Sequence, residues 1–208
     1  MEEYQSVIQI IALTMGAAWA SGINLYATLA VLGLAGSSGY IELPETLSVV
    51  QDPMVILAAG FMYCVEFFAD KTPGVDSAWD ALHTFIRIPA GAMLAAGAVG
   101  DVSPALSVAA GLLGGTVAAT THATKASSRL MINSSPEPFS NWGASLAEDV
   151  AVFAGLWAAF NHPVLFLVAF VLFLALVIWL LPKILRTLGK LGRKIGAMFR
   201  PKTATETP

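Results

Sequence analysis

Apolar positions run along this chain in long stretches separated by short polar breaks. A helix crossing a hydrocarbon core needs about 20 mostly apolar residues, and six stretches meet that need. The first runs from Val7 to Gly36 and is interrupted at Ala20-Ser21-Gly22-Ile23-Asn24. The second opens at Asp52-Pro53, a cap followed by proline at the first helical position, and ends near Asp70. The third runs from about Asp76 to Gly100, and the fourth from Ser103-Pro104, which repeats the cap-proline signal, to about Arg129. Trp142 to Phe160 forms the fifth, and Val164 to Leu181 the sixth, eighteen consecutive apolar residues.

The expected fold is therefore an all-α integral membrane bundle of about six transmembrane helices. Residues 1–182 form the bundle and 183–208 a basic amphipathic cytoplasmic tail. Span one has thirty residues, about 45 Å of helix against a core of about 30 Å. Either it breaks near Ser21-Gly22 and Asn24, or its first dozen residues lie in the interface and the helix starts at Gly22.

Composition supports this class. Of 208 residues, 56% are hydrophobic and 12% charged, with a mean hydropathy of +0.71. That balance excludes a soluble enzyme, a disordered tail and a nucleic-acid binder. The lone Cys64 leaves no internal disulfide or zinc cluster. Met1-Glu2-Glu3-Tyr4 is acidic where a signal peptide carries a basic flank, so no cleaved leader is expected.

Lys and Arg near helix ends stay on the cytoplasmic side. Seven of the eleven lie in the tail (Lys183, Arg186, Lys190, Arg193, Lys194, Arg200 and Lys202), and Lys71, Arg87, Lys125 and Arg129 lie at the junctions of spans two with three and four with five. Six spans with both termini cytoplasmic put all eleven on one side. In the tail, Ile184, Leu185, Leu188, Leu191, Ile195 and Phe199 recur at helical spacing opposite the bases, the pattern of an interfacial helix on anionic lipid headgroups.

Length arithmetic then forces charge below the surface. Ile88 to Gly100 is thirteen residues, about 20 Å, so span three must carry Arg87, His83 and Asp80 into the membrane. Val150 to Phe160 is eleven, so span five must carry Glu148 and Asp149. Glu66 lies one turn inside the end of span two. A charge at the helix centre costs about 2.5 to 3.5 kcal/mol, so these groups should face one another or water. Asp76, Asp80, His83 and Arg87 form one helical stripe; so do Glu66 and Asp70, and His122, Lys125 and Arg129. Together they outline a polar chamber open to the cytoplasm, with Pro89 freeing the carbonyl of Phe85 beside it.

Plainer readings stand beside this one. Ser77-x-x-Asp80 and Ser145-x-x-Glu148 resemble capping boxes, which would make Asp80, Glu148 and Asp149 first-turn acids. Glu66 could be a structural ion pair with Arg87 or Lys125. Gly91-x-x-x-Ala95, Ala110-x-x-x-Gly114 and Gly111-x-x-x-Gly115 read as small-residue packing seams. A weak internal echo relates Ala69-Asp-Lys71 and Ser77-x-Trp79-x-Ala81 to Ala123-Thr-Lys125 and Ser140-x-Trp142-x-Ala144.

Ser21-Gly-Ile-Asn-Leu-Tyr26, Glu66-Phe-Phe-Ala-Asp-Lys71 with Pro73-Gly-Val-Asp-Ser77, Trp79-Asp-Ala-Leu-His83 and His122-Ala-Thr-Lys125 resemble a domain-of-unknown-function family of small bacterial integral membrane proteins, over roughly residues 10–165. The resemblance implies a multi-pass protein of the bacterial inner membrane and no settled activity.

The residues favour a transporter or channel for a small ion or solute. The pathway candidates are Asn24, Glu66, Asp70, Asp80, His83, Arg87, Lys125, Arg129, Glu148 and Asp149, with Lys183, Arg186, Lys190, Arg193 and Lys194 contacting lipid. With Asp76 and Lys71 counted, six acids face four bases, which favours a cation or a proton-coupled solute; His83 would be a relay or a metal ligand. The alternatives are an enzyme acting on a lipid headgroup, with Asp76, Asp80 and Glu66 holding Mg²⁺, or a scaffold subunit without a solute. No catalytic residue, cofactor or nucleic-acid partner is expected, and a homo-oligomeric state stays open.

Overall fold

A computed structural model describes residues 2–100, 102–134 and 139–198, apart from the side chains of 2, 3, 191, 192 and 194–198. Seven α-helices make up the fold: α1 Glu2–Ile23, α2 Leu25–Ser37, α3 Pro53–Ala69, α4 Val75–Val99, α5 Pro104–Ile132, α6 Phe139–Asn161 and α7 Pro163–Met198. A 3₁₀ helix, Glu45–Gln51, precedes α3 and meets it at a 62° bend. Five helices are long and apolar enough to cross a membrane, and six if the bent pair counts as one. The chain is an all-helical polytopic membrane protein.

Local chemistry sets the boundaries. Asp52 accepts from the Met54 amide at 2.7 Å ahead of Pro53, and Ser103 from the Leu106 amide at 3.1 Å ahead of Pro104. Both are side-chain N-caps followed by proline. Gly74 and Gly100, at φ +86° and +67°, bracket α4 with backbone turns that disfavour other residues.

Span one breaks at Asn24. Its backbone is extended (φ −145°, ψ 99°), and its Oδ1 accepts from the Ala27 amide at 2.9 Å to cap α2. The two helices do not continue in line. Val7 and Ile10 line a cavity with Val99, Val102 and Leu106, whereas Gly22 packs on Ala118 and Thr121. After Asn24 the chain returns: Tyr40 Oη donates to Asn161 Oδ1 at 2.7 Å, and Thr46 to the Gly97 carbonyl at 2.6 Å. Thus α1 and α2 form a V whose apex is Asn24. The N-terminal end of α1 lies at the end of the bundle opposite Lys71 and Arg129. This corrects the expectation of both termini on one side: the helix expected to cross once is instead two antiparallel arms, and the thirteen-residue α2 carries the chain back.

α1 is the axis of the bundle, with Ala12, Ala17, Ala18 and Ala20 fully buried among α4, α5, α6 and α7. Small residues let backbones approach closely. A Cβ on Gly22 would lie 2.6 Å from the Ala118 carbonyl oxygen, and one on Gly91 would meet Ala118 Cβ and, at 2.7 Å, Ser21 Oγ. Gly114 sits against Ala95 in the same way, so the glycine–alanine seams do close the α1–α4–α5 interface. On the far side, Trp19 packs edge-on against Phe166 and Phe173 of α7, with ring centroids 6.1 Å apart in each pair.

α7 runs through Pro182 as one helix, and Ile184 beyond it is still buried. Lys183, Arg186, Lys190 and Arg193 are exposed along it. The side chains of Leu191, Lys194 and Ile195 lie outside the described residues, as do Phe199, Arg200 and Lys202 altogether.

Candidate functional site: a buried ion network at the apex of the V

The pathway candidates gather around the break at Asn24, with Lys125 bonded to the Ile23 carbonyl and Asp149 to the Asn24 side chain. α5 supplies the hub because Lys125 and Arg129 are one turn apart on its inner face. Lys125 Nζ lies 2.7 Å from Asp70 Oδ2, 3.4 Å from Glu66 Oε1, 3.6 Å from Glu148 Oε2 and 3.7 Å from Asp80 Oδ1. It also donates to the Ile23 carbonyl at 3.0 Å, at the break before α2. One ammonium thus joins α3, α4, α6 and the apex of the V.

Two guanidiniums flank it. Arg87, one helical stripe with Asp80, donates Nη1 to Asp80 Oδ1 at 3.0 Å and Nη2 to Glu66. Arg129 grips Glu148 with two bonds, Nε at 3.2 Å and Nη2 at 2.6 Å, a charge-assisted fork. Its Nη1 donates to the carbonyls of Asp70 and Asn141, at 3.1 and 3.0 Å, and to Asn141 Oδ1. Glu66, Arg87 and Arg129 are 0% exposed and only the Glu148 side chain, at 20%, reaches outward. The open chamber expected from the stripes is instead a closed network of four acids and three bases.

Asp149 stands apart from the pairs. Its Oδ1 accepts from Asn24 Nδ2 at 3.3 Å, and among the described residues its Oδ2 has no hydrogen-bond partner and no basic side chain is at ion-pair distance. α6 starts at Phe139, so Glu148 and Asp149 are interior residues and not first-turn acids; Asp80, held by Arg87, is no cap either.

His83 and His122 are both fixed by neighbours. His122 Nδ1 faces the Arg87 Nη1 donor at 3.2 Å, so its proton sits on Nε2, toward Thr84 Oγ1 at 2.8 Å. His83 has the opposite tautomer: Nδ1 meets the Trp79 carbonyl at 2.8 Å, leaving Nε2 to accept from Tyr26 Oη at 3.1 Å, and its ring stacks on Trp79 at 4.2 Å. His83 therefore ties α4 to α2 and stays out of the ion pairs. Asp76 is also outside: Asn133 Nδ2 donates to both its oxygens, at 2.8 and 2.9 Å, and the Gly74 amide to Oδ1 at 2.9 Å. Among the described residues, no three His, Cys, Asp or Glu side chains are placed to hold a metal ion.

The family model for a domain of unknown function, DUF4126, matches residues 11–183. The chain belongs to this family. The match takes in the apolar part of α7, beyond the 10–165 expected from the motifs, and the family's description names no activity. No curated protein and no solved structure matches the chain.

Several partners carry little sequence signal. Asn141, Asn133 and Tyr26 are single polar residues whose roles depend on which helix lies opposite. Lys71, which is not among the pathway candidates, rests its Nζ 3.0 Å over the Phe67 ring and 3.3 Å from Ser145 Oγ, while its carbonyl accepts from Trp142 Nε1 at 2.9 Å. Desolvation in this α3–α4 turn lowers its pKa below the ordinary lysine value.

Proposed function

We propose that the chain is a membrane transporter for a small ion or solute, driven by a proton or another cation at the Lys125 network. The observation carrying this reading is the position of Lys125 Nζ, cradled by carboxylates from three helices and by the carbonyl freed at a helix break. Broken helices that turn free carbonyls toward a buried site are how many transporters hold coupling cations. Here the cation is tethered. Protonating a carboxylate, or admitting a cation among them, weakens the hold on Lys125, and the apex of the V then loses the ammonium bonded to Ile23. The closed network is the occluded state, and it opens at the basic end through Glu148. Burying ions costs several kcal/mol each, more than an apolar core would, which favours a working role over a purely structural one.

The basic end faces the cytoplasm of a bacterial inner membrane in this reading, and Lys183, whose Nζ lies 3.0 Å over the Trp179 ring, begins a basic strip that meets anionic lipid. Among the described residues no three acidic or histidine side chains are grouped for the divalent ion that the enzyme reading asks for, and Asp76 is engaged by Asn133. Proteoliposomes under a pH gradient, with uptake of Na⁺, K⁺ and protons followed in parallel, test the proposal. Wild type should move at least one of these, and Lys125→Gln or Glu66→Gln should abolish it. Flux equal to that of empty vesicles overturns transport; equal flux in the variants overturns this site.

A further inference from the structure

We infer that Asp149 is a proton-binding group beside the Lys125 network and that its protonation releases the α1–α2 hinge through Asn24. Three observations meet at this residue. Asp149 is 6% exposed in a membrane-crossing helix, yet no base among the described residues pairs with it, unlike Glu66, Asp70, Asp80 and Glu148. Its Oδ2 is buried without a partner. Its one side-chain bond goes to Asn24, the residue whose extended backbone makes the V.

The groups facing it are Tyr63 and Asp70 of α3, Lys71 of the following turn, Lys125 of α5 and Asn24; Glu148 beside it is engaged by Arg129. A buried carboxylate that accepts one side-chain hydrogen bond and meets no described base at ion-pair distance has less contact compensation for its charge than the four that do, which makes its free oxygen the place for a proton. The step adds one proton from water to Oδ2 and converts a carboxylate to a neutral acid. The Asn24 bond then changes from charge-assisted to neutral and weakens by about half. Asn24 Oδ1 keeps the Ala27 amide, so α2 stays capped while its tie to α6 loosens. Asp149 is the binding group, and Asn24 is a positioning residue.

What the proton is used for rests on the transport reading; its binding site does not. Infrared difference spectra of the purified protein between acid and neutral conditions should show a protonated-carboxyl band that disappears in Asp149→Asn and persists, displaced, in Asp149→Glu. Spin labels at Ser38 and Val102, in a Cys64→Ala background, should report a separation that changes with acidification in wild type. Asp149→Asn should stay at the acid value at both pH values, and Asn24→Ala should lose the response while keeping the band. A band unchanged in Asp149→Asn overturns the assignment, as does a separation that responds equally in that variant. Should Asp149→Asn not fold, an undisplaced band in Asp149→Glu overturns it. Absent flux with both signals intact counts against the transport reading alone.

Discussion

The two ends of α4 and α5 are built from different chemistry although the helices are continuous. Away from the basic end, Gly91 and Ala95 meet Ala118 and Gly114 in a close seam in which the described contacts are all with small apolar or backbone atoms and Ser21. Past Pro89 the same helices present Arg87, His83, Asp80, His122, Lys125 and Arg129, all engaged by polar partners. The seam is held by shape, which has one solution. The network is held by charge, which a proton can rearrange. Motion in this molecule is therefore expected at the charged end, with the seam as its pivot.

The sharpest way to break the comparison is to test whether the two ends face opposite compartments. In a Cys64→Ala background, cysteines at Gln5 and Ser38 should react with an impermeant thiol reagent from outside, and one at Ser134 should not. Reaction at Gln5 and Ser134 from the same side would undo the V and the two-ended description. Next in size is Arg87→Ala, which leaves Glu66 and Asp80 buried without their guanidinium; a broken buried pair costs about 3 to 5 kcal/mol. Thermal melts in detergent should fall sharply, and adding Glu66→Gln and Asp80→Asn should recover most of the loss. Gly114→Leu forces the seam apart at a cost of about 1 to 3 kcal/mol. No second charge change should rescue it, and rescue by the carboxylate substitutions would show that the two ends are not separate. Smallest is Trp142→Phe, which deletes the bond to the Lys71 carbonyl: about 1 kcal/mol, read as a small drop in the same melt.

Much of this was legible in the residues. Apolar runs locate the helices because lipid imposes their length, and the thirteen residues from Ile88 to Gly100 force Arg87 inward. The glycine seams were legible because only small residues repeat at that spacing. The fold-back at Asn24 was not, since a straight helix and a folded pair have the same hydropathy; the cue was that Leu25–Ser37 is too short to cross alone. Nor were the partnerships. A stripe names the face that carries a charge, while the neighbour of that face is decided by packing, so Asp76 looked equivalent to Asp80 until Asn133 was found across from it.

The apex of the V also constrains the order of assembly. Outside the finished bundle, the Ile23 carbonyl and the Asn24 side-chain Nδ2 would face hydrocarbon with nothing to bond, a cost of several kcal/mol per group. Their partners, Lys125 and Asp149, arrive more than a hundred residues later in the chain. Helices α1 and α2 are therefore made well before the groups that satisfy their break, and α1 settles at the centre of the molecule only after the helices that surround it have been made.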